Sequence, residues 1–314
     1  MLAITIGNFD GVHRGHQALI AEARRRAGTG GRVVAVTFDP HPVARLRAGA
    51  IPPQLTTLDD KRRLLAEAGA DETLVLDPTP DLLRLGPEEF VRELRTRVPF
   101  DAIVEGDDFR FGKGRAGDVT TLAALGATLG FETAVVDAVD VELADQTLVR
   151  ASSSMVRWLI AQGRVADAAR ILGRRYSLVG VTERGDQRGR TIGVPTLNLD
   201  HSVGAPRADG SALLLPSDGV YAGWVTLEET IDGGTPLRAA ISVGTKPSFG
   251  ESRRTCEAHA IDVTLPMDRY GTPMRVTFER WIRGQYAFSS LQALVEQIGR
   301  DVAAARPVAA RSQD

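Results

Sequence analysis

The segment at residues 4–20, ITIGNFDGVHRGHQALI, constrains the fold of this chain most strongly. The β-branched residues at its start predict a strand, and the Gly, Asn and Asp residues that follow predict a tight turn. An apolar helical pattern begins at Gln17, so His13 and His16 fall where a strand passes into a helix. Backbone N–H groups and the helix dipole at such a junction favour an anion. The plainer alternative is a strand–turn–helix that carries two surface histidines.

The residues around the two histidines favour the phosphate interpretation. Gly15 keeps the space between them open, so a bulky polyphosphate could approach the backbone. The turn at residues 8–11, with sequence NFDG, leads to the two histidines. Its residue types are more specific than a simple connecting loop requires. We therefore predict a nucleotide phosphate site in this loop.

Predicted strands and helices alternate over the first 150 residues. This alternation is typical of a parallel, doubly wound α/β sheet. The predicted strands after the first lie at residues 32–38, 73–76, 102–105 and 132–136, and the predicted helices at residues 57–69, 88–97 and 120–129.

Two polar loops follow predicted strands, at the edge where open α/β sheets bind ligands. The first, at residues 39–42 with sequence DPHP, is stiffened by two prolines and is either a rigid turn or one wall of a crevice. The second, at residues 106–112, has the sequence GDDFRFG. Its carboxylates could lie near ribose hydroxyls or a phosphate-bound Mg²⁺, and its phenyl rings could hold a flat ligand. A polar loop with two buried aromatic residues is the alternative.

Three serines, Ser152, Ser153 and Ser154, lead into a predicted helix that carries Arg157. They could simply be N-cap residues. Hydroxyl groups and a guanidinium at a helix start also suit a triphosphate, because arginine can bind two phosphate oxygens at once. The helical pattern here has two parts, residues 154–162 and 164–172.

The pattern changes after residue 173. Five strand-like runs with Gly- and Pro-rich separators predict a small antiparallel barrel, and residues 290–305 predict a closing helix. We expect domains at residues 1–157 and 174–305, a helical linker at 158–173 and a frayed tail at 306–314. The five predicted strands lie at residues 176–182, 219–227, 237–243, 256–265 and 274–282.

Three features of the second half could carry chemistry. The loop at residues 185–193 is punctuated by glycine and could expose N–H groups to phosphate. Thr196 and Asn198 share one side of an extended segment and could ligate one Mg²⁺. Glu257 and His259 share one face of a predicted strand. The plain alternatives are a hairpin turn, a polar strand end and a solvent-facing pair, but their joint occurrence favours a site.

Composition excludes several classes of function. The net charge of −2 gives no general attraction to nucleic acid or membrane surfaces, and no apolar run approaches the roughly 20 residues that span a bilayer. The single cysteine, Cys256, excludes a disulfide within the chain and thiolate zinc sites. We expect a cytoplasmic protein that is a monomer or a weak homo-oligomer and acts on small molecules.

Several motifs carry a resemblance to one family. GNFDGVHRGH resembles the HIGH-like motif of nucleotidyltransferases, and most closely the adenylyltransferase half of bacterial bifunctional riboflavin kinase/FMN adenylyltransferases (FAD synthetases). GDDFRFG is similar to the family's G-[DE]-[DN]-F-x-F-G segment. ASSSMVR at residues 151–157 is similar to its ISSTxxR motif, with Ala151 in place of Ile and Ser154 in place of Thr. In the second half RGRTIGVPTLN, DGVYA, GTKPSFG and EAH resemble the riboflavin kinase motifs. The resemblance spans residues 3 to about 305.

The resemblance implies a HIGH-type, Rossmann-like domain and a riboflavin kinase-like barrel. It implies that riboflavin is phosphorylated to FMN, and FMN adenylylated to FAD, with ATP and Mg²⁺. Gln285 and Arg269 depart from the family pattern. A flavin-binding regulator with idle sites, or adenylylation of another phosphorylated substrate, are the alternatives.

The resemblance also assigns roles to residues. Glu257 is the implied general base, with His13 and His16 as catalytic groups of the other reaction. The implied Mg²⁺ ligands are Thr196 and Asn198. The implied ATP-binding residues are Gly7, Phe9, Asp10, Gly11, His13, Gly15, His16, Ser152, Ser153, Ser154, Arg157, Gly185, Arg190 and Gly193, and the implied flavin-binding residues are Phe38, Pro40, His41, Pro42, Asp107, Asp108, Phe109, Phe111 and Arg283.

Overall fold

The chain forms two compact units, which divide between Ser153 and Ser154. The computed structural model describes residues 1–46, 51–184, 193–200, 212–227, 234–246, 251–263 and 270–306, with the side chains of 246 and 251–253 excepted. The predicted domain limits at residues 157 and 174 stay predictions. The predicted tail from 307 onward lies outside the described residues.

The first unit is built on a five-stranded sheet in which every neighbouring pair is parallel. The order β3-β2-β1-β4-β5 places β1 beside β4, where the chain changes direction across the sheet. The predicted doubly wound fold is confirmed. The strands are β1 (Leu2–Ile6), β2 (Arg32–Phe38), β3 (Glu72–Leu76), β4 (Ala102–Gly106) and β5 (Glu132–Val136).

Helices cover both faces of this sheet. The predicted helices are present, and Thr57 is the N-cap of the second predicted one because its side chain accepts from the Asp60 N–H. Two short helices and a hairpin were not predicted, because they are too short for a periodic pattern. The helices are α1 (Arg14–Ala27), α2 (Val43–Leu46), α3 (Leu58–Glu67), α4 (Pro80–Arg84), α5 (Pro87–Arg97) and α6 (Val119–Leu129), and the hairpin strands are β6 (Asp140–Glu142) and β7 (Leu148–Arg150).

Side chains alternate between two cores on the two faces of the sheet. One face presents small residues, among them Ala3, Ala35 and Ala102, and packs against α1 and α3. The other presents branched residues, among them Ile4 and Ile103, and packs against α4, α5 and α6. Small side chains on the α1 face let that helix lie close to β1, so the loop between them is short and held at both ends.

The second unit contains a closed six-stranded barrel in which every neighbouring pair is antiparallel. The predicted barrel is therefore confirmed, and the order around it is β10-β11-β12-β9-β8-β13. The strands are β8 (Ser177–Glu183), β9 (Leu197–Leu199), β10 (Gly219–Leu227), β11 (Leu237–Lys246), β12 (Glu251–Ala260) and β13 (Pro273–Arg283).

Two details of the barrel differ from the prediction. β9 was not counted as a strand, because its few residues give no clear alternation. β12 begins at Glu251, five residues before the predicted start, and ends at Ala260. Its polar start, ESRRT, carries no hydrophobic pattern, but its backbone pairs with β11.

Three helices complete the second unit: α7 (Ser153–Ala161), whose first residue belongs to the first unit, α8 (Val165–Leu172) and α9 (Leu291–Ala305). The closing helix α9 begins after Ser290, whose hydroxyl accepts from the Ala293 N–H, and it buries Ala305 against Ala222 and Ile261. The predicted closing helix is confirmed. Among the described helices, none is long and apolar enough to cross a membrane.

Candidate active sites

The loop between β1 and α1 has an unusual backbone that brings its side chains together. Phe9, Gly11 and Val12 have φ values of 46°, 81° and 41°, in the left-handed region that residues other than glycine rarely adopt. His13 then takes the N-cap position of α1 without capping it through its side chain. The strained turn therefore presents the first imidazole at the start of the helix.

The two histidines stack on each other. Their ring centroids are 3.6 Å apart with an angle of 23° between the planes, and the Phe9 ring meets the His16 ring edge-on at 5.1 Å. A Cβ atom at Gly15 would lie 3.1 Å from His13 Cε1 and 3.4 Å from the Ala151 carbonyl oxygen. Glycine at this position therefore lets His13 and Ala151 pack closely. Its predicted role in admitting a polyphosphate stays a prediction.

Asp10 holds this loop to the segment before α3. Its carboxylate accepts from the Leu55 N–H at 2.9 and 3.0 Å and from the Thr56 N–H at 3.2 Å, and the side chain is only 3% exposed. The Thr56 hydroxyl oxygen accepts from the Gly11 N–H at 3.3 Å. These contacts show Asp10 shaping the loop. Its predicted role in binding ATP stays a prediction.

The start of α7 reaches the same loop. The Ser153 hydroxyl donates to the Asp10 carbonyl oxygen at 2.8 Å. One of the predicted serines is thus placed beside the histidine loop within the first unit. Ser154 and Arg157 belong to the second unit, and their predicted roles, like that of Ser152, stay predictions.

The loop after β4 brings its aromatic residues to the sheet. The rings of Phe109 and Phe111 stack at 5.4 Å with an interplanar angle of 14°. Phe111 is buried in the core that contains Ile6, and Phe109 packs partly exposed against it, as does Phe38 at the end of β2. Phe109, after β4, and Phe38, at the end of β2, thus lie at the carboxyl edge of the sheet where a flat ligand could lie, and Phe111 stacks against Phe109.

The other predicted flavin-binding residues of this unit lie in the same two loops. Asp107 and Asp108 both pair with Arg150, at 2.5 and 3.4 Å. His41 Nδ1 accepts from the Val43 N–H at 3.2 Å, next to the cis peptide bond between Asp39 and Pro40. Direct contacts of these residues, and of Pro42, with flavin stay predictions.

Two buried residues of the first unit with ionisable side chains, Glu105 and Lys61, escaped the sequence analysis. Glu105, in β4, is 1% exposed, and burial raises its pKa well above the usual value while the Ile6 N–H, bonded at 2.7 Å, opposes the shift. Lys61, in α3, is 7% exposed; burial lowers its pKa, and the carboxylates of Asp10 and Asp39 oppose the shift. The only local sequence signal for Glu105 is a charged residue type within an apolar strand, in the sequence AIVE.

The second constellation lies on one face of the barrel wall. Glu257 in β12 pairs directly with Asn198 in β9, so the two side chains share a face. The Thr196 hydroxyl donates to Glu257 Oε2 at 3.2 Å. Residues from segments about sixty positions apart thus meet as the motifs predict, while the alternate residues Cys256 and Ala258 are buried. Burial raises the pKa of the Cys256 thiol to about 12, which leaves it unreactive.

The oxygen donors here suit Mg²⁺. Among the described residues, no group of three or more His, Cys, Asp or Glu side chains could hold a metal by itself. Thr196 and Asn198 supply one hydroxyl and one amide oxygen beside the Glu257 carboxylate. Mg²⁺ is usually held by few protein ligands together with substrate phosphates and water, so this donor set fits a nucleotide-bound ion.

Gln285, one of the two departures from the family pattern, contacts the neighbourhood of Glu257. Its amide donates to the Ser242 hydroxyl at 3.0 Å and to the Val243 carbonyl oxygen at 2.9 Å, and Ser242 pairs directly with Glu257 in the ladder. A glutamate could not donate to that carbonyl. The amide is thus suited to its own surroundings.

The remaining predicted residues are placed as follows. Arg283 makes a two-point ion pair with the buried Asp301 of α9, at 2.6 and 2.8 Å, so the structure uses it to hold the closing helix. Its flavin contact stays a prediction. Gly193 is exposed with φ 76°. Gly185, Arg190 and the second departure, Arg269, lie outside the described residues.

Comparisons with known proteins agree with both halves. A FAD synthetase family model matches residues 1–149, and a riboflavin kinase family model matches residues 172–309. The bifunctional riboflavin kinase/FMN adenylyltransferase of Escherichia coli K12 is 36% identical over 96% of this chain and 91% of that protein. The proteins of the same description from Listeria monocytogenes and Bacillus subtilis are 31% and 30% identical, over 99% and 95% of this chain and 93% and 89% of their own lengths.

A solved structure is similar along the whole chain. The crystal structure of a protein from Streptococcus pneumoniae, described as a macrolide-efflux protein, matches with a TM-score of 0.81 and 27% identity. The match covers 98% of this chain and 94% of that one. Both the strand–helix unit and the barrel therefore occur together in a second protein.

Proposed function

Because the chain belongs to the family of bifunctional riboflavin kinase/FMN adenylyltransferases, we propose that it phosphorylates riboflavin to FMN and then adenylylates FMN to FAD. The observation that carries the proposal is that each unit holds its own set of reactive groups. The first unit has two stacked imidazoles at the start of a helix, and the second has Glu257 between Thr196 and Asn198.

In the kinase reaction, Glu257 takes the proton from the terminal ribityl hydroxyl of riboflavin. The oxygen attacks the γ-phosphorus of ATP, a new P–O bond forms, and the bond to the bridging oxygen breaks to release ADP. Thr196 and Asn198 would hold Mg²⁺, which neutralises phosphate charge when bound. The hydrogen bond from Thr196 keeps the carboxylate of Glu257 oriented.

In the adenylyltransferase reaction, a phosphate oxygen of FMN attacks the α-phosphorus of a second ATP. The bond to the bridging oxygen breaks, and pyrophosphate leaves. The nucleophile is already an anion, so the protein has no proton to remove and acts by positioning and by stabilising charge. His13 and His16, at the positive end of α1, donate to the phosphate oxygens and to the departing pyrophosphate.

The same proposal includes the substrates, the compartment, the metal ion and the oligomeric state of the protein. We propose that it acts on ATP, riboflavin and FMN in the cytoplasm, with Mg²⁺, as a monomer or weak homo-oligomer. Ser152, Ser154 and Arg157 would bind the triphosphate in the first reaction centre, and Gly185, Arg190 and Gly193 in the second.

The test is to incubate the purified protein with riboflavin, ATP and Mg²⁺ and to separate the flavins by chromatography. FMN should appear first and FAD after it. Binding of flavin without either product would instead favour a regulatory protein with idle sites. Omitting Mg²⁺, with a chelator present, should stop both reactions.

A further inference from the structure

The ladder between β1 and β4 opens at its carboxyl end. The strands pair at Ala3 with Ala102 and at Ile4 with Ile103, and their pairing stops there. Beyond that point β1 stays paired with β2 through Ile6, and β4 with β5 through Gly106. A gap thus begins between β1 and β4, at the position in the strand order where open α/β sheets bind ligands.

The Glu105 side chain bridges this gap. Its Oε1 accepts from the Ile6 N–H at 2.7 Å and so replaces the ladder partner that Ile6 has lost. Within the described part of the chain, this N–H is the only group that hydrogen-bonds to Glu105, and burial and this bond are the only influences on its ionisation. No described residue hydrogen-bonds to the second carboxyl oxygen, so it can meet a ligand.

Burial raises the pKa of the Glu105 carboxyl group and so favours its acid form. A carboxylate that is 1% exposed, with one N–H as its only partner among the described residues, would be strongly disfavoured by the loss of water. As an acid it can accept from Ile6 through Oε1 and donate through the hydroxyl on Oε2. A neutral donor suits an uncharged acceptor such as a carbonyl oxygen.

The surroundings indicate which part of a substrate meets this donor. Glu105 lies on the same face of β4 as Ile103, because side chains alternate along a strand. Phe38 and Phe109 are the partly buried aromatic residues that pack at the rim of this face. The stacked histidines belong to the loop that packs on the opposite face, with Phe9 and Val12.

We propose that Glu105 contacts the flavin ring of FMN and donates a hydrogen bond to one of the two carbonyl oxygens of its pyrimidine ring. The inference rests on the proposed adenylyltransferase function and adds a specificity-determining residue to it. The flavin ring then lies on the Phe38–Phe109 side of the sheet, while the triphosphate lies on the histidine side.

The test compares Glu105→Gln with Glu105→Met in the full-length protein. Glutamine can accept from Ile6 and donate to the flavin, whereas methionine has similar size and can do neither. Glu105→Met also removes the acceptor of the Ile6 N–H, so both KM values can rise. We expect the KM for FMN to rise about tenfold more than the KM for ATP, the worth of one hydrogen bond. Glu105→Gln should stay within about threefold for both. The control variant is Glu72→Leu, which changes another acidic residue of the same sheet, at the amino end of β3.

A purely structural role would give a different result. Ile6 directly precedes the loop that carries the histidines, so loss of its acceptor alone would raise the KM for ATP as much as that for FMN. Equal changes, or no change in either KM, would overturn the inference. If the wild-type protein forms no FAD, the proposed function fails instead, so the two failures can be told apart.

A second measurement does not depend on how the variants fold. FMN analogues with sulfur in place of either carbonyl oxygen accept hydrogen bonds poorly. The wild-type protein should bind one of the two about tenfold more weakly than FMN. Equal binding of FMN and both analogues would contradict the proposed contact.

Discussion

At the residue scale, the first reaction centre depends on how closely the atoms around His13 are packed. The ring of His13 lies against His16 on one side, and Gly15 and Ala151 border it on another. The position of the imidazole is therefore fixed by contact, and small changes in volume should alter it.

Gly15→Ala tests this packing. The added methyl group would lie 3.1 Å from His13 Cε1, closer than an ordinary contact, so the imidazole must move. We expect the rate of FAD formation from FMN to fall about threefold to tenfold, because the ring must shift by a few tenths of an ångström and a misplacement of about 1 Å costs about a hundredfold. Gly299→Ala, where a methyl group has open space, is the control and should leave the rate unchanged. Equal rates in both variants would argue against a catalytic His13.

Glu257→Gln tests the second centre. The amide keeps an oxygen that can accept from Thr196 but cannot take a proton. We expect FMN formation from riboflavin to fall about 10²- to 10⁴-fold, while FAD formation from supplied FMN is unchanged. The control is Glu296→Gln, an exposed acid on α9. A variant that still phosphorylates riboflavin at the wild-type rate would exclude Glu257 as the base.

The ionisation of Glu105 should make stability depend on pH. Its pKa is raised by burial, so the folded chain holds a proton that the unfolded chain loses above the usual value of 4.5. The free energy of unfolding should therefore fall as pH rises from about 4.5 towards the raised pKa, by up to about 1.4 kcal/mol per pH unit. Glu105→Gln removes this contribution. Urea unfolding of both proteins at pH 5 and 7 measures this contribution. The free energy of unfolding of the variant should rise relative to that of the wild type between pH 5 and pH 7. The same difference at both pH values would contradict a raised pKa at Glu105.

At the element scale, the α1 loop is held by contacts with elements distant in sequence. The Asp10 carboxylate accepts hydrogen bonds from backbone N–H groups before α3, and the Ser153 hydroxyl at the start of α7 donates to the Asp10 carbonyl oxygen. Glu105 of β4 holds the last N–H of β1. The loop is thus fixed from three directions, and its left-handed residues stay in place because these contacts outweigh their strain.

Asp10→Ala should loosen the connection between the loop and α3. It leaves the N–H groups of Leu55 and Thr56 buried without their acceptor, and we expect about 1–3 kcal/mol of lost stability. FAD formation should fall with it, because the histidines follow in the same loop. Asp10→Asn keeps one acceptor oxygen and should lose less. Thermal unfolding and product analysis measure both effects. Unchanged unfolding of the alanine variant would show that the hydrogen bonds to the Asp10 carboxylate do not stabilise the fold.

At the scale of the whole molecule, the two constellations belong to units with separate cores. The cores of the sheet lie within the first unit, and the barrel with α8 and α9 forms the second. Damage to the reactive groups of one unit should therefore leave the other reaction intact.

Mixing two variants tests this independence. His16→Ala should still make FMN but no FAD, and Glu257→Ala should make FAD only from supplied FMN. Together they should convert riboflavin to FAD, because FMN released by one protein can be used by the other. Chromatography of the flavins follows the conversion. A mixture that makes no FAD, although each variant keeps its remaining reaction, would show that the two centres must lie in one chain.

The sequence determined the class of both units and the family, and it supplied the residues that we propose carry the chemistry. These signals are local: a strand–turn–helix with two histidines, alternating strand and helix patterns, and a series of short strands. The start of β12 and the short β9 were missed, because a polar or very short strand has no hydrophobic period.

Only the tertiary structure decided which of these residues meet and what each one touches. The structure shows that the Asp10 carboxylate accepts from the Leu55 N–H, a contact that the sequence does not indicate. It also shows that Glu105 of β4 lies beside Ile6. Glu257 faces Asn198 only because β9 and β12 pair in one register. Such contacts join residues far apart in the chain, and the pairing of strands and the packing of cores set them, so no local pattern records them.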